Sequence, residues 1–198
     1  STAIGRGEKW ASKHRETMRP GDFILLTKTA GLEGTAIIAG DYENDLLGIL
    51  TAEELQQAKA MMNHVSVVKE GIIAGKIGTT GMHDITEGGV LGAVWEMCRR
   101  GDVGAEIWTV SIPVANVTKK ICDQYDIDYL RLISSGSMII MANPSKKDEL
   151  LCALGEAGIQ ATCVGVIKVP EEGIKMEVGG ELMEIAPPAG DELYKVVG

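Results

Sequence analysis

The residues whose types and spacing could do chemistry gather in Met82-His83-Asp84-Ile85-Thr86-Glu87-Gly88-Gly89-Val90. His83 and Asp84 can carry a proton or orient a metal ion or a substrate, and they are the candidate catalytic residues. Two adjacent glycines follow where an apolar helix should start: Leu91, Val94, Trp95 and Cys98 recur at helical spacing, and Gly101 is a stop. A glycine in a helix costs up to about 1 kcal/mol relative to alanine, a cost best explained if something must approach the backbone closely. A helix start with uncovered N–H groups suits an anion. Thr86, Glu87, Gly88 and Gly89 are therefore expected to contact a phosphate, with a cation between it and any neighbouring carboxylate. A structural account fits the same residues: Asp84 and Glu87 have capping-box spacing, and the glycines then serve packing against a strand.

Two more junctions share this arrangement. Gly31-Leu32-Glu33-Gly34-Thr35 links a buried strand to an apolar helix, making Gly31, Glu33 and Gly34 candidate ligand contacts; Glu33 can also be just a favourable charge at a helix start. Ser134-Ser135-Gly136-Ser137 is a polar turn beside a buried strand, which adds Ser134, Ser135 and Gly136, with a plain turn as the alternative. Other signatures fail on counting. Gly71 to Ile77 imitates a phosphate-binding P-loop but is one residue short and has Ile77 where a magnesium-binding hydroxyl belongs. Asp41 to Leu46 lacks the sixth-position glycine of a calcium loop, and Gly5-Arg6-Gly7 has Trp10 where a dinucleotide fingerprint needs glycine. G-x-S-x-G occurs nowhere, and Cys98, on the apolar face of its helix, reads as a packed thiol.

The elements that must position these residues alternate. Strands are expected at Phe23 to Leu26, Thr79 to Ile85, Glu106 to Val110, Ser137 to Met141 and Ala161 to Val169. Helices are expected at Thr35 to Ala39, Glu53 to Met62 behind a Thr51–Glu54 capping box, Ser66 to Ala74, Ala115 to Tyr125 and Lys146 to Glu156. Ile174 to Val178 and Leu182 to Ile185 frame Gly179-Gly180 as a hairpin, and Asp191 to Val196 closes the chain as a short helix. The alternation predicts an α/β domain, and the hairpin predicts a mixed sheet. Residues 1–20 read as a basic arm or linker, and 21–198 as the domain.

Composition bounds the rest. At 198 residues and 45% apolar, the chain can build a substantial core. A net charge of −9 and only 4% aromatic residues argue against nucleic acid, and no apolar run is long enough for a membrane span or a secretory signal, so a cytoplasmic location is expected. Four scattered cysteines and three histidines, without a C-x-x-C pair, predict neither a disulfide framework nor a structural zinc site.

Taken together and in order, the 82–90 motif, Thr29-Ala30-Gly31-Leu32-Glu33-Gly34-Thr35-Ala36 and Ser134-Ser135-Gly136-Ser137-Met138-Ile139-Ile140 resemble the C-terminal half of the aminoimidazole ribonucleotide (AIR) synthetase superfamily. Within it, the resemblance is to the AIR synthase-related and hydrogenase maturation factor (HypE-like) branch. This resemblance implies a three-layer α/β/α domain with a mixed sheet. It also implies two-domain enzymes that use ATP and magnesium to activate an oxygen by phosphorylation, the N-terminal half carrying the nucleotide site and pairing across a homodimer.

The expectation is the C-terminal domain of an ATP-dependent phosphoryl-transfer enzyme, whose partners are ATP or a small phosphorylated substrate and the N-terminal ATP-binding domain of the same protein. The chain alone is expected to be inactive. Its end, Tyr194 to Gly198, lacks the terminal cysteine that the resemblance associates with carbamoyl dehydration, so that reaction is not expected. A non-catalytic scaffold or partner-binding module is the alternative.

Overall fold

The computed structural model describes residues 17–198. The expected arm up to Glu16 and the Gly5-Arg6-Gly7 motif lie outside the described residues. Met18 is already part of the core: it is 7% exposed and packs in the cluster that contains Ile24, Val94 and Met97.

Among the described residues seven strands form one mixed sheet in the order β2-β4-β1-β5-β3-β6-β7: β1 is Phe23–Thr27, β2 Gly81–Asp84, β3 Gly104–Trp108, β4 Met138–Ala142, β5 Ala161–Lys168, β6 Ile174–Val178 and β7 Glu181–Glu184. Neighbours are antiparallel except for the β3–β6 pair, which runs parallel. The central strands β1 and β4 are almost wholly buried, which explains why they read as continuous apolar runs rather than alternating ones.

Alternate residues of those strands serve opposite faces. Ile24, Leu26, Ile139 and Met141 pack with α4 (Gly89–Gly101), whose Leu91, Val94 and Cys98 are fully buried. Leu25, Met138, Ile140 and Ala142 pack with α3 (Val68–Ile77) and α6 (Lys147–Glu156) through Ala74, Leu150 and Leu154. These are the three expected layers. A further helical cluster joins α1 (Leu32–Asp41), α2 (Ala52–Ala60) and α5 (Asn116–Tyr125) around Ile38, Ile121 and Leu132. The last helix, α7, is Tyr194–Val197. Among the described residues no helix is long and apolar enough to cross a membrane.

Register determines where the motifs emerge. Leu26 faces Ile139 and Asp84 faces Met138, with β4 antiparallel to both β1 and β2. The segments after β1, after β2 and before β4 therefore leave the sheet at the same end. The loop before β5 joins them there, because the Lys28 amide donates to the Gln160 carbonyl at 2.8 Å.

Candidate functional site

The start of α4 is built differently from the sequence expectation. Gly88, at φ 81°, is the capping residue, and Gly89, at φ 61°, is the first residue of the helix. Asp84 is the last residue of β2, still extended and too early in the chain to cap a helix starting at Gly89, so the expected capping box with Glu87 does not form. The amides of both glycines are also bonded within the chain. Gly88 N–H donates to Asp191 Oδ2 at 2.7 Å, Gly89 N–H to the Thr86 carbonyl at 3.1 Å and Leu91 N–H to the Leu130 carbonyl at 3.1 Å. The attraction of a helix start for an anion holds, but here the anion is the chain's own Asp191.

Asp191 is 5% exposed, and its second oxygen accepts from the amides of Ile133 (3.1 Å) and Leu193 (2.9 Å). Burial pushes its carboxyl above the ordinary carboxylate value, the three amide donors oppose that, and the charge of Glu87 adds to the rise. Gly89 serves close approach: a Cβ there would stand 2.6 Å from the Leu130 carbonyl oxygen and 2.8 Å from that of Leu132. No L side chain fits between those two oxygens.

At the tip of this loop Asp84, Thr86 and Glu87 are exposed. His83 lies between two carboxylates, with Nδ1 3.2 Å from Asp84 and Nε2 3.0 Å from Glu96. His83 and Asp84 stand in the wall of a cavity of about 230 Å³ that also includes Arg100. Glu87 lies beside Tyr194 and holds that phenol above its ordinary value by accepting its hydrogen bond.

The other two motifs are tied together directly. Ser134 Oγ accepts from the Leu32 amide at 3.1 Å, and Ser134 and Ser137 donate to the Thr29 carbonyl at 3.1 and 2.7 Å. Gly34 N–H donates to the Ile133 carbonyl at 2.9 Å, and a Cβ on Gly34 would meet Leu132 Cγ at 2.5 Å. Gly31, at φ 66°, precedes α1, and one carboxylate oxygen of Glu33 is buried without a hydrogen bond. Ile85 N–H donates to the Ser137 carbonyl at 2.9 Å, linking the 82–90 loop to the same turn. The motifs at 29–36 and 82–90 thus both rest on the segment from Leu130 to Ser137, which contains the third.

Of the expected site residues, the 230 Å³ cavity takes only His83 and Asp84 into its wall. The larger hollow at this end, about 510 Å³, has Lys28, Thr29, Leu32, His64 and Pro113 in its wall, and none of the expected site residues lines it. Sequence reasoning missed Asp191, Lys28 and Glu70. No local spacing could reveal Asp191, since 103 residues separate it from Gly88. Lys28 carried a signal, a lysine ending an apolar strand.

The thiols at hand suit packing rather than catalysis. Burial pushes Cys98 and Cys122 up to about 12, so both stay protonated near neutral pH.

Known proteins share this fold. A putative hydrogenase expression/formation protein of Methanocaldococcus jannaschii is 24% identical over 187 residues, covering 90% of this chain and 52% of that protein. The crystal structure of E. coli HypE superposes with a TM-score of 0.74 at 21% identity, over 92% of this chain and 54% of that one. The hydrogenase maturation protein HypE in complex with ATP gives a TM-score of 0.65 at 18% identity, over 87% of this chain and 52% of that one. The chain spans about half the length of the relatives it matches. Residues 19–178 match the family model described as AIR synthase related protein, C-terminal domain, and the chain belongs to that family.

Proposed function

We propose that this chain is the cleft-forming C-terminal domain of a two-domain, ATP-dependent phosphoryl-transfer enzyme, in which the end of the sheet bearing residues 28–34, 84–89 and 134–137 faces the nucleotide-bearing half. The observation that supports it best is that residues 28–34 and 84–89, far apart in sequence, are both tied to the segment from Leu130 to Ser137, which contains the third motif. Functional loops mounted on a rigid scaffold are the usual construction of a site. The solved HypE with ATP and the family match support a nucleotide as the ligand of the whole protein.

With Asp191 on the Gly88 amide, the contribution of the 82–90 loop passes to its exposed tip. The carboxylates of Asp84 and Glu87 offer hard oxygen donors, which fit magnesium and not a softer metal. A bound magnesium ion would neutralise phosphate charge there. Asp84 and Glu87 would hold the cation side of a magnesium–phosphate unit, while His83, set between Asp84 and Glu96, orients Asp84. The start of α1 at Gly31 to Gly34 and the Ser134 to Gly136 turn shape the wall beside them. In this reading the intact protein pairs as a homodimer.

Titration calorimetry with magnesium and ATP tests the proposal on a protein carrying both halves. Binding is expected there and not in this chain alone, and joint replacement Asp84→Asn and Glu87→Gln should weaken the magnesium dependence at least about tenfold. Unchanged magnesium dependence in that double variant, or no nucleotide binding by the two-half protein, overturns it.

A further inference from the structure

Lys28 stands where β1 gives way to the loop before α1, and its φ of 58° lies in the left-handed region that normally favours glycine. A residue held in such a conformation points to a constraint imposed by its surroundings. The constraint here is the ammonium group. It lies 3.0 Å from the His64 carbonyl oxygen, 2.8 Å from that of Ser66, 2.6 Å from that of Gly136 and 2.7 Å from Glu70 Oε1.

Four oxygens exceed the three protons an ammonium can donate. Consistently, Glu70 Oε1 makes no hydrogen bond of good geometry despite its closeness to the nitrogen. The arrangement is therefore more than a buried salt bridge, which would need only Lys28 and Glu70. Converging main-chain carbonyls with one carboxylate are the donor set of a hard-cation site. Glu70 is 1% exposed, and a buried carboxylate needs a positive partner. The cage is also held by close packing: a Cβ on Gly136 would lie 2.5 Å from the His64 carbonyl oxygen.

We propose that the Lys28 ammonium is the tethered occupant of a monovalent-cation site made by the carbonyls of His64, Ser66 and Gly136 with the Glu70 carboxylate, and that this makes Lys28 the positioning residue of the cleft. The cage joins the loop from Lys28 to Gly31, the turn before α3 and the 134–137 turn. The second part rests on the proposed function; the cation site does not. Without its tether, the cage should accept an alkylammonium ion or potassium.

Lys28→Ala removes Cγ to Nζ, the atoms of propylammonium. Melting of this chain is followed at constant ionic strength in propylammonium, potassium and tetramethylammonium chlorides. The variant should melt about 5–10 °C below the wild type, and propylammonium should restore the loss saturably, potassium partly and the donor-free tetramethylammonium not at all. Equal melting in the three salts overturns the proposal. Lys28→Met fills the stem without charge and should show no rescue; rescue there would reveal a general salt effect and also overturn it. A measurement on the wild type guards against a variant that does not fold. Side-chain nitrogen spectra should show one lysine ammonium with protons exchanging far more slowly than the others, and the absence of any protected ammonium contradicts the cage. Failure of the rescue leaves nucleotide binding by the two-half protein untouched, and failure of that binding leaves the rescue untouched.

Discussion

Gly88 and Gly89 show what a pair of residues can and cannot reveal. Their position at a helix start signals a close approach to the backbone, and the structure supplies the approaching groups: the Leu130 to Leu132 main chain and the Asp191 carboxylate. The identity of those groups depends on tertiary structure, so the sequence pointed equally well to an external phosphate. Gly89→Ala should destabilise the chain by about 2–4 kcal/mol, combining the left-handed backbone with a clash against main-chain oxygens that cannot withdraw; chemical denaturation measures it. Asp191 gives a prediction with a sign. Its folded value lies above the ordinary value of 3.8, so the folded state holds the proton more tightly than the unfolded one. The contribution of this titration is fully present below 3.8 and is lost as pH rises through the raised folded value. Asp191→Asn abolishes that titration, so the stability of the wild type relative to the variant should decline over that window and then level off toward neutral pH. A difference that grows with pH across the window would mean the carboxylate is favoured, not disfavoured, by its burial.

Elements whose signals are local were legible. The Thr51–Glu54 capping box forms as written, with Thr51 Oγ1 accepting from Glu54 N–H at 3.2 Å and Glu54 accepting from Thr51 N–H at 2.9 Å. Gly179 and Gly180 take φ values of 61° and 91°, the two positive angles of the expected hairpin turn. The P-loop imitation at Gly71 to Ile77 lies inside α3. Helix starts made by distant residues were not legible. The helix expected from Thr35 begins at Leu32, because Ser134, 102 residues away, accepts the Leu32 amide that Gly31 has no side chain to cap. Ser134→Ala leaves that buried donor without a partner and should cost about 1–3 kcal/mol. The loss should be accompanied by faster hydrogen exchange at Leu32 and Gly34 with little change in α6. Uniform exchange across the chain would assign the effect to global destabilisation instead of to this tie.

At the scale of the molecule, alternation of elements identified an α/β domain, the late hairpin a mixed sheet and the family resemblance its three layers, but the strand order could not be read. The pairing of β2 with β4 and of β3 with β6 joins segments whose partners lie far along the chain, and only register against both buried faces selects them. The same limit hid the tail. The family match ends at residue 178, yet the segment beyond β7 binds back onto the end of the sheet that bears the three motifs at several points. Asp191 takes the amides of Gly88 and Ile133, Glu192 takes the amide of Asp128 at 3.1 Å, and Leu193 and Val196 pack on the α1–α2–α5 cluster. The tail is thus a strap across the support on which the motifs at 29–36 and 82–90 rest. Removing residues 186–198 should free the Gly88 and Ile133 amides together, and their hydrogen exchange should accelerate well beyond that of core amides in β1 and β4. Asp191→Asn should reproduce part of that change at the same two amides while leaving Asp128 protected by Glu192. If truncation leaves Gly88 and Ile133 exchanging as before, the strap does not hold the loops, and their order must come from the Ser134 and Lys28 ties alone.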